Sequence, residues 1–441
     1  MAAVASRSPG ARALRPLLVA VTACLLSPLA FAADPAPRAA GPDPLGLQPS
    51  PYPDPSSSAY ATPPGPPPSL ALYPPSTILD ASSLALRVQS ISTRLTAFDQ
   101  FGHGYQSQAG PVLGPGSERV TVLEGQTEVI ATQGERLTHR LWIPVDVVTA
   151  ASPDAIDNTR ASADVVSGAS RKVISGTLDW SVAYKVDAAT ELAMRNALHL
   201  EEPLRSWSSG LAARRSFADE NTVLSANVIE SFDWFDHFDI TGHRHGHSNR
   251  SGTTGSIGLT QVLTPTTLAN INYGVTVLAG TLGNTWNSVP LASGTRGSEI
   301  LPEERVRHAL VGRASQFLPW NGALHAYYRF YADDWGIVAH SIEGELMQRL
   351  SPFLYVGALY RFHTQTGATF FTTRGVDNGD LRIADSDLAP LESQTVGGKI
   401  VTDFPLAGDL RALHFELGYE RYVRTNDLRM NIVTWATGFR F

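Results

Sequence analysis

Histidine and carboxylate side chains are concentrated in the stretch DHFDITGHRHGHS, in a link between two extended segments. Imidazole nitrogens and carboxylate oxygens are suitable ligands for zinc, copper or nickel. His237, His243, His245 and His247 therefore form a candidate metal site. Arg244 interrupts the spacing and nothing in the sequence fixes the geometry, so a solvated polar loop is the alternative interpretation.

A second group of candidates follows four extended segments in the last third of the chain. Alternation with period two places their polar residues on one face. These residues are Arg305, Arg307, Arg313, Arg329, Asp333, Glu343, Glu345, Arg361, His363 and Gln365. On the inward face of a membrane barrel, such charges tune selectivity or pair with one another to brace the wall. The sequence leaves both roles open, because interior ion pairs need not be functional.

A catalytic site is the third hypothesis. Ser167 lies between Asp164 and Ser170 in DVVSGAS, and His103 belongs to the same expected rim. A nucleophile needs a base beside it, but the sequence contains neither a G-x-S-x-G elbow nor an H-E-x-x-H motif. Turn chemistry is sufficient to explain small residues at such a junction. We therefore predict that the protein is not an enzyme and needs no cofactor, with a surface hydrolase as the alternative.

The segments that must position these residues alternate between apolar and polar side chains. In TLANINYGVTVLAG, Ile271, Tyr273 and Val275 share one face, whereas Asn270 and Asn272 share the other. Period two indicates strands, and about sixteen such runs extend from Leu84 to the end of the chain. Most of them are longer than the ~5–6 residues usual in soluble sheets. They suit tilted strands that cross a bilayer, which need ~9–11 residues.

The links between the runs alternate in length. Long links are predicted at 235–252, 281–303 and 367–390, and tight ones at 187–190 and 319–322, among others. Short turns at one end and long loops at the other are typical of outer-membrane barrels. Because a sheet edge cannot stay unpaired in lipid, the strands must close. The prediction is an all-β, transmembrane antiparallel β-barrel of about 16 strands over residues 83–441, with a soluble sandwich or solenoid as the alternative.

The first part of the chain is predicted to be an export signal followed by a spacer. A basic region precedes an apolar run, and Ala30 and Ala32 form an A-x-A cleavage site, so residues 1–32 are interpreted as a signal peptide. Residues 33–82 are rich in proline and are predicted to be a disordered periplasmic spacer. The single cysteine, Cys24, lies within the signal, so the mature chain has no disulfide.

The chain stops on NIVTWATGFRF, an apolar alternating strand. Trp435, Phe439 and Phe441 share the face expected to contact lipid, and this strand must pair with the first one. An aromatic last residue also resembles the terminal strand that barrel-assembly machinery recognises. Outer-membrane lipid and that machinery are the expected partners. The formal charge is −7 and no block of Lys or Arg occurs, so nucleic acid is not an expected partner.

Aromatic residues near the predicted strand ends are placed to form interfacial girdles. They are Trp180, Tyr184, Trp234, Trp320, Tyr331, Trp335 and Trp435.

Four stretches resemble one bacterial family, catalogued as domain of unknown function 3570. They are DVVSGAS at 164–170, PEERVRHA at 302–309, YYRFYADDWG at 327–336 and YRFHTQTGATFF at 360–371. The chain departs from the pattern at His363 and Phe371, where tyrosine is expected. The resemblance covers roughly 84–441 and implies an outer-membrane β-barrel without supplying a mechanism. The function expected is a pore or transport-related barrel, and a surface hydrolase or a structural or adhesive barrel is the alternative.

Overall fold

The structure is a computed structural model that describes residues 85–102, 120–150, 173–201, 204–238, 244–283, 288–293, 296–372, 380–406 and 410–441. The predicted signal peptide (1–32) and spacer (33–82) lie outside the described residues. The same is true of His103, Ser167 and His243. No helix in the described part of the chain is long and apolar enough to cross a membrane.

The described chain consists almost entirely of strands, with one short 3-10 helix at Ser386–Leu388. The strands are β1 (Leu86–Gly102), β2 (Val120–Gln133), β3 (Leu137–Ala150), β4 (Val173–Lys185), β5 (Thr190–Leu200), β6 (Leu204–Phe217), β7 (Thr222–Phe238), β8 (Arg244–Thr264), β9 (Thr267–Gly280), β10 (Ser288–Pro290), β11 (Arg296–Ser298), β12 (Glu304–Leu318), β13 (Gly322–Asp333), β14 (Val338–Ser351), β15 (Leu354–Gln365), β16 (Leu391–Pro405), β17 (Ala412–Arg424) and β18 (Leu428–Arg440).

Sixteen of these strands form one closed antiparallel barrel. Each barrel strand pairs with its neighbours in the barrel order, and β1 closes the sheet by pairing with both β2 and β18. The closing pair runs from Ser90 opposite Arg440 to Gly102 opposite Leu428. β10 and β11 form a separate hairpin in the link between β9 and β12. The predicted closed barrel of about 16 strands is confirmed.

The two faces of the wall differ in chemistry. Large apolar side chains are exposed on one face, as with Ile257 (63%) and Ile342 (57%). On the other face, polar side chains reach across an intervening strand: Lys399 on β16 contacts Glu345 on β14 at 2.6 Å. Side chains converge only on the concave side of a barrel, so the polar face is the inner one. The exposed apolar face is the outer one.

The barrel has two unlike ends, which we name by their connections. The turn end carries the short links after β2, β4, β6, β8, β12, β14 and β16, together with the start of β1 and the end of β18. Gly134 and Asn321 adopt positive φ in two of these turns, where a tight reversal requires it. The loop end carries the remaining links, including 281–303 and 366–390.

The predicted long link at 235–252 is wrong. β7 continues to Phe238 and β8 begins at Arg244, so the two strands extend as a hairpin at the loop end. Polar side chains hold it, since Arg244 and His247 both contact Asp236, at 2.7 and 2.9 Å. Lack of apolar alternation indicated a loop, yet a hairpin outside the bilayer needs no apolar face.

Two of the predicted girdle aromatics lie elsewhere. Trp335 is only 3% exposed, and its indole Nε1 donates to the carbonyl oxygen of Glu304 at 3.2 Å. Tyr331 shares the inner face with Asp333, to which its hydroxyl donates at 2.8 Å. Both rings pack inside the loop end. There the polar tip of each ring has a hydrogen-bond partner, as a buried polar group requires. Trp180, Trp234 and Trp320 are exposed, at 43%, 52% and 60%.

Candidate functional site

The charged residues predicted on one face come together on the inner wall of β12–β15. In the strand register, Arg307 lies opposite Asp333, Val311 opposite Arg329 and Arg313 opposite Tyr327. The period-two alternation of β12 puts its three arginines on one side, and the antiparallel register aligns them with the polar face of β13. We call the wall formed by the inner faces of β12 and β13 the arginine wall.

Arg305 and Asp333 form a buried ion pair at the loop end of this wall. Their closest atoms, Nη2 and Oδ2, are 2.5 Å apart, and the side chains are 7% and 0% exposed. The carboxylate also accepts from the Tyr331 hydroxyl at 2.8 Å and from the Ile337 amide at 2.9 Å. The Arg305 guanidinium lies 4.2 Å from the centre of the Trp335 ring. This pair braces the wall, because its buried charges are directed at each other and at neighbouring protein groups.

The two carboxylates on the inner face of β14 are also paired. Arg361 donates its Nε to Glu343 at 2.6 Å, and Lys399 contacts Glu345 at 2.6 Å. The second contact depends on Gly357, since a Cβ there would lie 2.5 Å from the Met347 sulfur and 3.0 Å from Lys399 Cγ. A glycine in the wall lets the long lysine lie flat across β15.

His363 is held by hydrogen bonds on both ring nitrogens. Nδ1 lies 2.8 Å from the Ser341 hydroxyl, and Nε2 lies 3.1 Å from the Gln365 side-chain oxygen. Both partners lie on the inner wall of β14 and β15. In this arrangement the imidazole has no ring nitrogen left for a solute, so its contribution is to the wall.

Two arginines of the wall are placed differently. The Arg313 guanidinium lies 5.5 Å from the centre of the Tyr327 ring, and that of Arg329 lies 5.6 Å from Tyr331. Neither forms an ion pair with any carboxylate that the structure describes. The Nε of Arg329 is buried and has no hydrogen-bond partner there. These two guanidinium groups therefore have aromatic neighbours, whereas Arg305 and Arg361 have carboxylates.

The link between β15 and β16 folds against the inner side of the loop end. Gln365 donates to the carbonyl oxygens of Asp387 and Ala389, each at 2.8 Å. Arg424, on the inner face of β17, donates to the Ser386 carbonyl at 2.9 Å and pairs with Asp387. We name residues 381–389 the inner segment, and it packs against inward side chains of β15 and β17.

The inner segment is also tied to the link that precedes β12. Ile300, just before β12, forms a β-bridge with Arg382, and Arg382 donates to the Ser298 carbonyl at 3.0 Å. Ile383 is 2% exposed and packs with Ile337 and Ala368 in an apolar core. The predicted long links at 281–303 and 367–390 therefore pack against each other.

Asp385 lies within the inner segment and accepts a hydrogen bond from the Asp387 amide at 2.9 Å. Burial and the neighbouring charge of Asp387 raise the pKa of this carboxyl from 3.8 to about 6, although Arg424 and Arg305 oppose the rise. Its charge consequently changes within the range of environmental pH.

The predicted metal site remains a prediction. Asp236 and His247 are in contact on the extended β7–β8 hairpin. The position of His243 and the side chains of His237 and His245 lie outside what the structure describes. Among the described residues, no group of three or more His, Cys, Asp or Glu side chains is arranged to hold a metal ion.

The closing strand places its aromatic residues on the outer face. Trp435 is opposite Leu95 and Phe439 is opposite Ile91 on β1. The Phe441 amide donates to the Gln89 carbonyl at 2.8 Å, and its side chain is 40% exposed. The predicted pairing of the last strand with the first is confirmed.

Sequence reasoning missed an apolar cluster on the inner wall. Phe98, Leu428, Met430 and Ile432 face inward near the loop end and are 8%, 1%, 1% and 6% exposed. In LRMNIV, Leu428, Met430 and Ile432 share one face of the strand, whereas Arg429 and Asn431 share the other. This alternation indicates one buried face, but it does not say that the buried face is the inner one.

A closed barrel with an apolar outer surface and a charged inner wall is a transmembrane β-barrel. Residues 175–432 match the family described as Protein of unknown function (DUF3570), and the chain belongs to that family. None of the curated proteins matches it in sequence.

Solved structures of outer-membrane proteins are similar to this chain at low sequence identity. A bacterial polysaccharide outer membrane secretin is 9% identical with a TM-score of 0.41, covering 82% of this chain and 100% of that one. A BenF-like porin from Pseudomonas fluorescens Pf-5 is 8% identical with a TM-score of 0.40, covering 80% and 99%. OccD3 (OpdP) of Pseudomonas aeruginosa is 10% identical with a TM-score of 0.40, covering 82% and 94%.

Proposed function

We propose that this protein is an outer-membrane channel through which small polar solutes diffuse. The observation that carries the proposal is the charged inner wall of a closed 16-stranded barrel. At this strand number the interior is wide enough for water unless something fills it. An inner wall of arginine and carboxylate side chains keeps that interior hydrated, because ionised groups are expensive to remove from water.

The proposed orientation puts the turn end in the periplasm and the loop end at the cell surface. Both ends of the barrel sequence, at β1 and β18, lie at the turn end. Short periplasmic turns and longer surface loops are the rule in such barrels. Export by the signal peptide 1–32, the periplasmic spacer 33–82 and insertion by the barrel-assembly machinery belong to the same proposal.

The inner segment limits the size of the solutes. It lies inside the loop end, held by Gln365 and Arg424. A passage narrowed in this way fits a channel for small molecules, because large ones would have to displace several hydrogen bonds.

Conductance in a planar lipid bilayer tests the proposal. Purified protein added to one side should produce stepwise increases in KCl current, whereas the same sample boiled beforehand should produce none. Arg424→Ala removes one anchor of the inner segment and should increase the unitary conductance. If both the wild type and the Arg424→Ala variant form folded, inserted barrels that pass no current, the proposed channel is refuted.

A further inference from the structure

We propose that the arginine wall binds small organic carboxylates and makes the pore selective for them. This inference rests on the proposed channel function and names the solute class that the channel prefers. Arg313 and Arg329 are the residues that would contact the solute.

The charges on the inner faces of β12–β16 do not balance. Three carboxylates there pair with a cation, Asp333 with Arg305, Glu343 with Arg361 and Glu345 with Lys399, whereas Asp403 contacts only the His414 imidazole, at 2.9 Å. Arg313 and Arg329 have no carboxylate partner among the described residues. The wall therefore has excess positive charge, which favours anions in the passage.

Arg329 has a hydrogen-bond donor that the described protein leaves unsatisfied. Its Nε is buried without a hydrogen-bond partner in the described chain. The hydroxyls of Tyr331 and Ser341 bond to Asp333 and His363, and neither accepts from this Nε. A buried donor that lacks an acceptor is unfavourable. The protein therefore leaves this guanidinium only partly satisfied, and an anion at its terminal nitrogens would offset that deficit electrostatically.

A tyrosine ring lies beside each of the two guanidinium groups. Tyr327 and Tyr331 lie 5.5 and 5.6 Å from the guanidinium groups of Arg313 and Arg329. A guanidinium beside an aromatic ring keeps its N–H edge available, and that edge matches a carboxylate in a two-bond fork. One fork satisfies both oxygens of a carboxylate. A phosphate dianion would leave an oxygen without a donor at each of these single guanidiniums.

Arg313 and Arg329 occupy successive levels along the barrel wall. Arg329 lies opposite Val311, and Arg313 is the next inward residue of β12 towards the turn end. One inward step along a strand is about 7 Å. A carboxylate can therefore leave one guanidinium for the next without crossing an uncharged gap. Several weak sites in series allow both entry and release.

Ion selectivity in a KCl gradient tests the charge argument. The wild-type channel should favour chloride over potassium, and the double substitution Arg313→Gln with Arg329→Gln should reduce or reverse the preference. Arg429→Gln is the matched control, because Arg429 lies on the outer face with a side chain that is 51% exposed. Its selectivity should equal that of the wild type.

Block of the KCl current by benzoate tests the solute class. The concentration for half block should rise about tenfold or more in the double Gln variant, as expected from the loss of charged hydrogen bonds. A double Arg→Lys variant keeps the charge but loses the fork. It should therefore retain chloride preference while losing benzoate block.

The outcomes separate this inference from the channel itself. A barrel that conducts no ions would overturn the proposed function. A conducting channel that prefers potassium, or whose selectivity and benzoate block survive the double Gln substitution, would overturn the inference alone. Block by inorganic phosphate at equal or lower concentration than benzoate would overturn the assignment to carboxylates. Retention of the mobility shift on boiling confirms that each variant is folded.

Discussion

At the scale of single residues, the inner wall contains two kinds of arginine. Arg305 and Arg361 are bound to carboxylates at 2.5 and 2.6 Å. Arg313 and Arg329 lie against tyrosine rings. The same residue type thus braces the wall at some positions and faces the passage at others. The neighbours decide which, because a paired guanidinium has little attraction left for a solute.

Asp333→Ala should destabilise the barrel strongly. The substitution leaves the buried Arg305 charge without its partner, which costs about 3–5 kcal/mol in the free energy of unfolding. Glu128→Ala is the control, because the pair of Glu128 with Arg140 is 29% and 26% exposed and should contribute about 1 kcal/mol or less. Urea unfolding in lipid vesicles, followed by tryptophan fluorescence, measures both. Equal losses in the free energy of unfolding of the two variants would contradict the distinction between the buried pair and the partly exposed pair.

At the scale of elements, the inner segment contains a carboxyl, Asp385, whose charge changes within the range of environmental pH. Asp385 has a raised pKa of about 6, and it is surrounded by Asp387, Arg424 and Arg305. Because docking raises the pKa of Asp385, the protonated carboxyl stabilises the docked segment. This contribution is fully present below the ordinary pKa of 3.8. That contribution is lost as the pH rises through about 6.

The channel should therefore conduct less at pH 4.5 than at pH 7. Protonated Asp385 favours the docked inner segment, and ionised Asp385 weakens it. Asp385→Asn removes the charge at every pH, so the conductance of this variant should stay low from pH 4.5 to pH 7. Single-channel conductance across the pH range is the measurement. A pH dependence that persists unchanged in the Asn variant would assign the effect to another group.

The closing strand β18 is the second element with a testable role. Phe439 and Phe441 contribute outer-face aromatics at the turn end, beside β1. Substituting both with alanine should lower the amount of folded barrel in the outer membrane, because assembly recognises this strand under the proposed function. Phe404→Ala is the control, since Phe404 is 42% exposed near the turn end of β16. Similar losses of folded barrel in both variants would show that the effect comes from removing exposed apolar area and is not specific to the closing strand.

At the scale of the whole molecule, the closed sheet should determine how the protein behaves in a gel. All barrel strands are paired on both sides, so unfolding requires opening the entire ladder at once. Unheated samples should migrate differently from boiled ones in dodecyl sulfate. The membrane fraction should contain the protein, and recovery in the soluble periplasm would contradict the barrel's location.

The period of the strands could be read from the sequence, but the course of the links could not. Ile271 and Tyr273 face outward on β9 as their alternation predicts, at 55% and 40% exposure. The extension of β7 and β8, and the burial of Trp335, were not predicted. Both depend on contacts between separate segments, such as Arg244 with Asp236 and Trp335 with Glu304. Local periodicity contains no information about such contacts.

The sequence by itself determined the barrel, its inner and outer faces and the strand that closes it. Each follows from side chains alternating along a strand and from the need to pair every backbone group in lipid. Only the tertiary structure decided which arginines are neutralised, and that the 381–389 segment lies inside the loop end. The physical reason is that Arg305–Asp333, Lys399–Glu345 and Arg424–Asp387 join different strands and links. Their pairing, and the charge it leaves on Arg313 and Arg329, exists only once the barrel has closed.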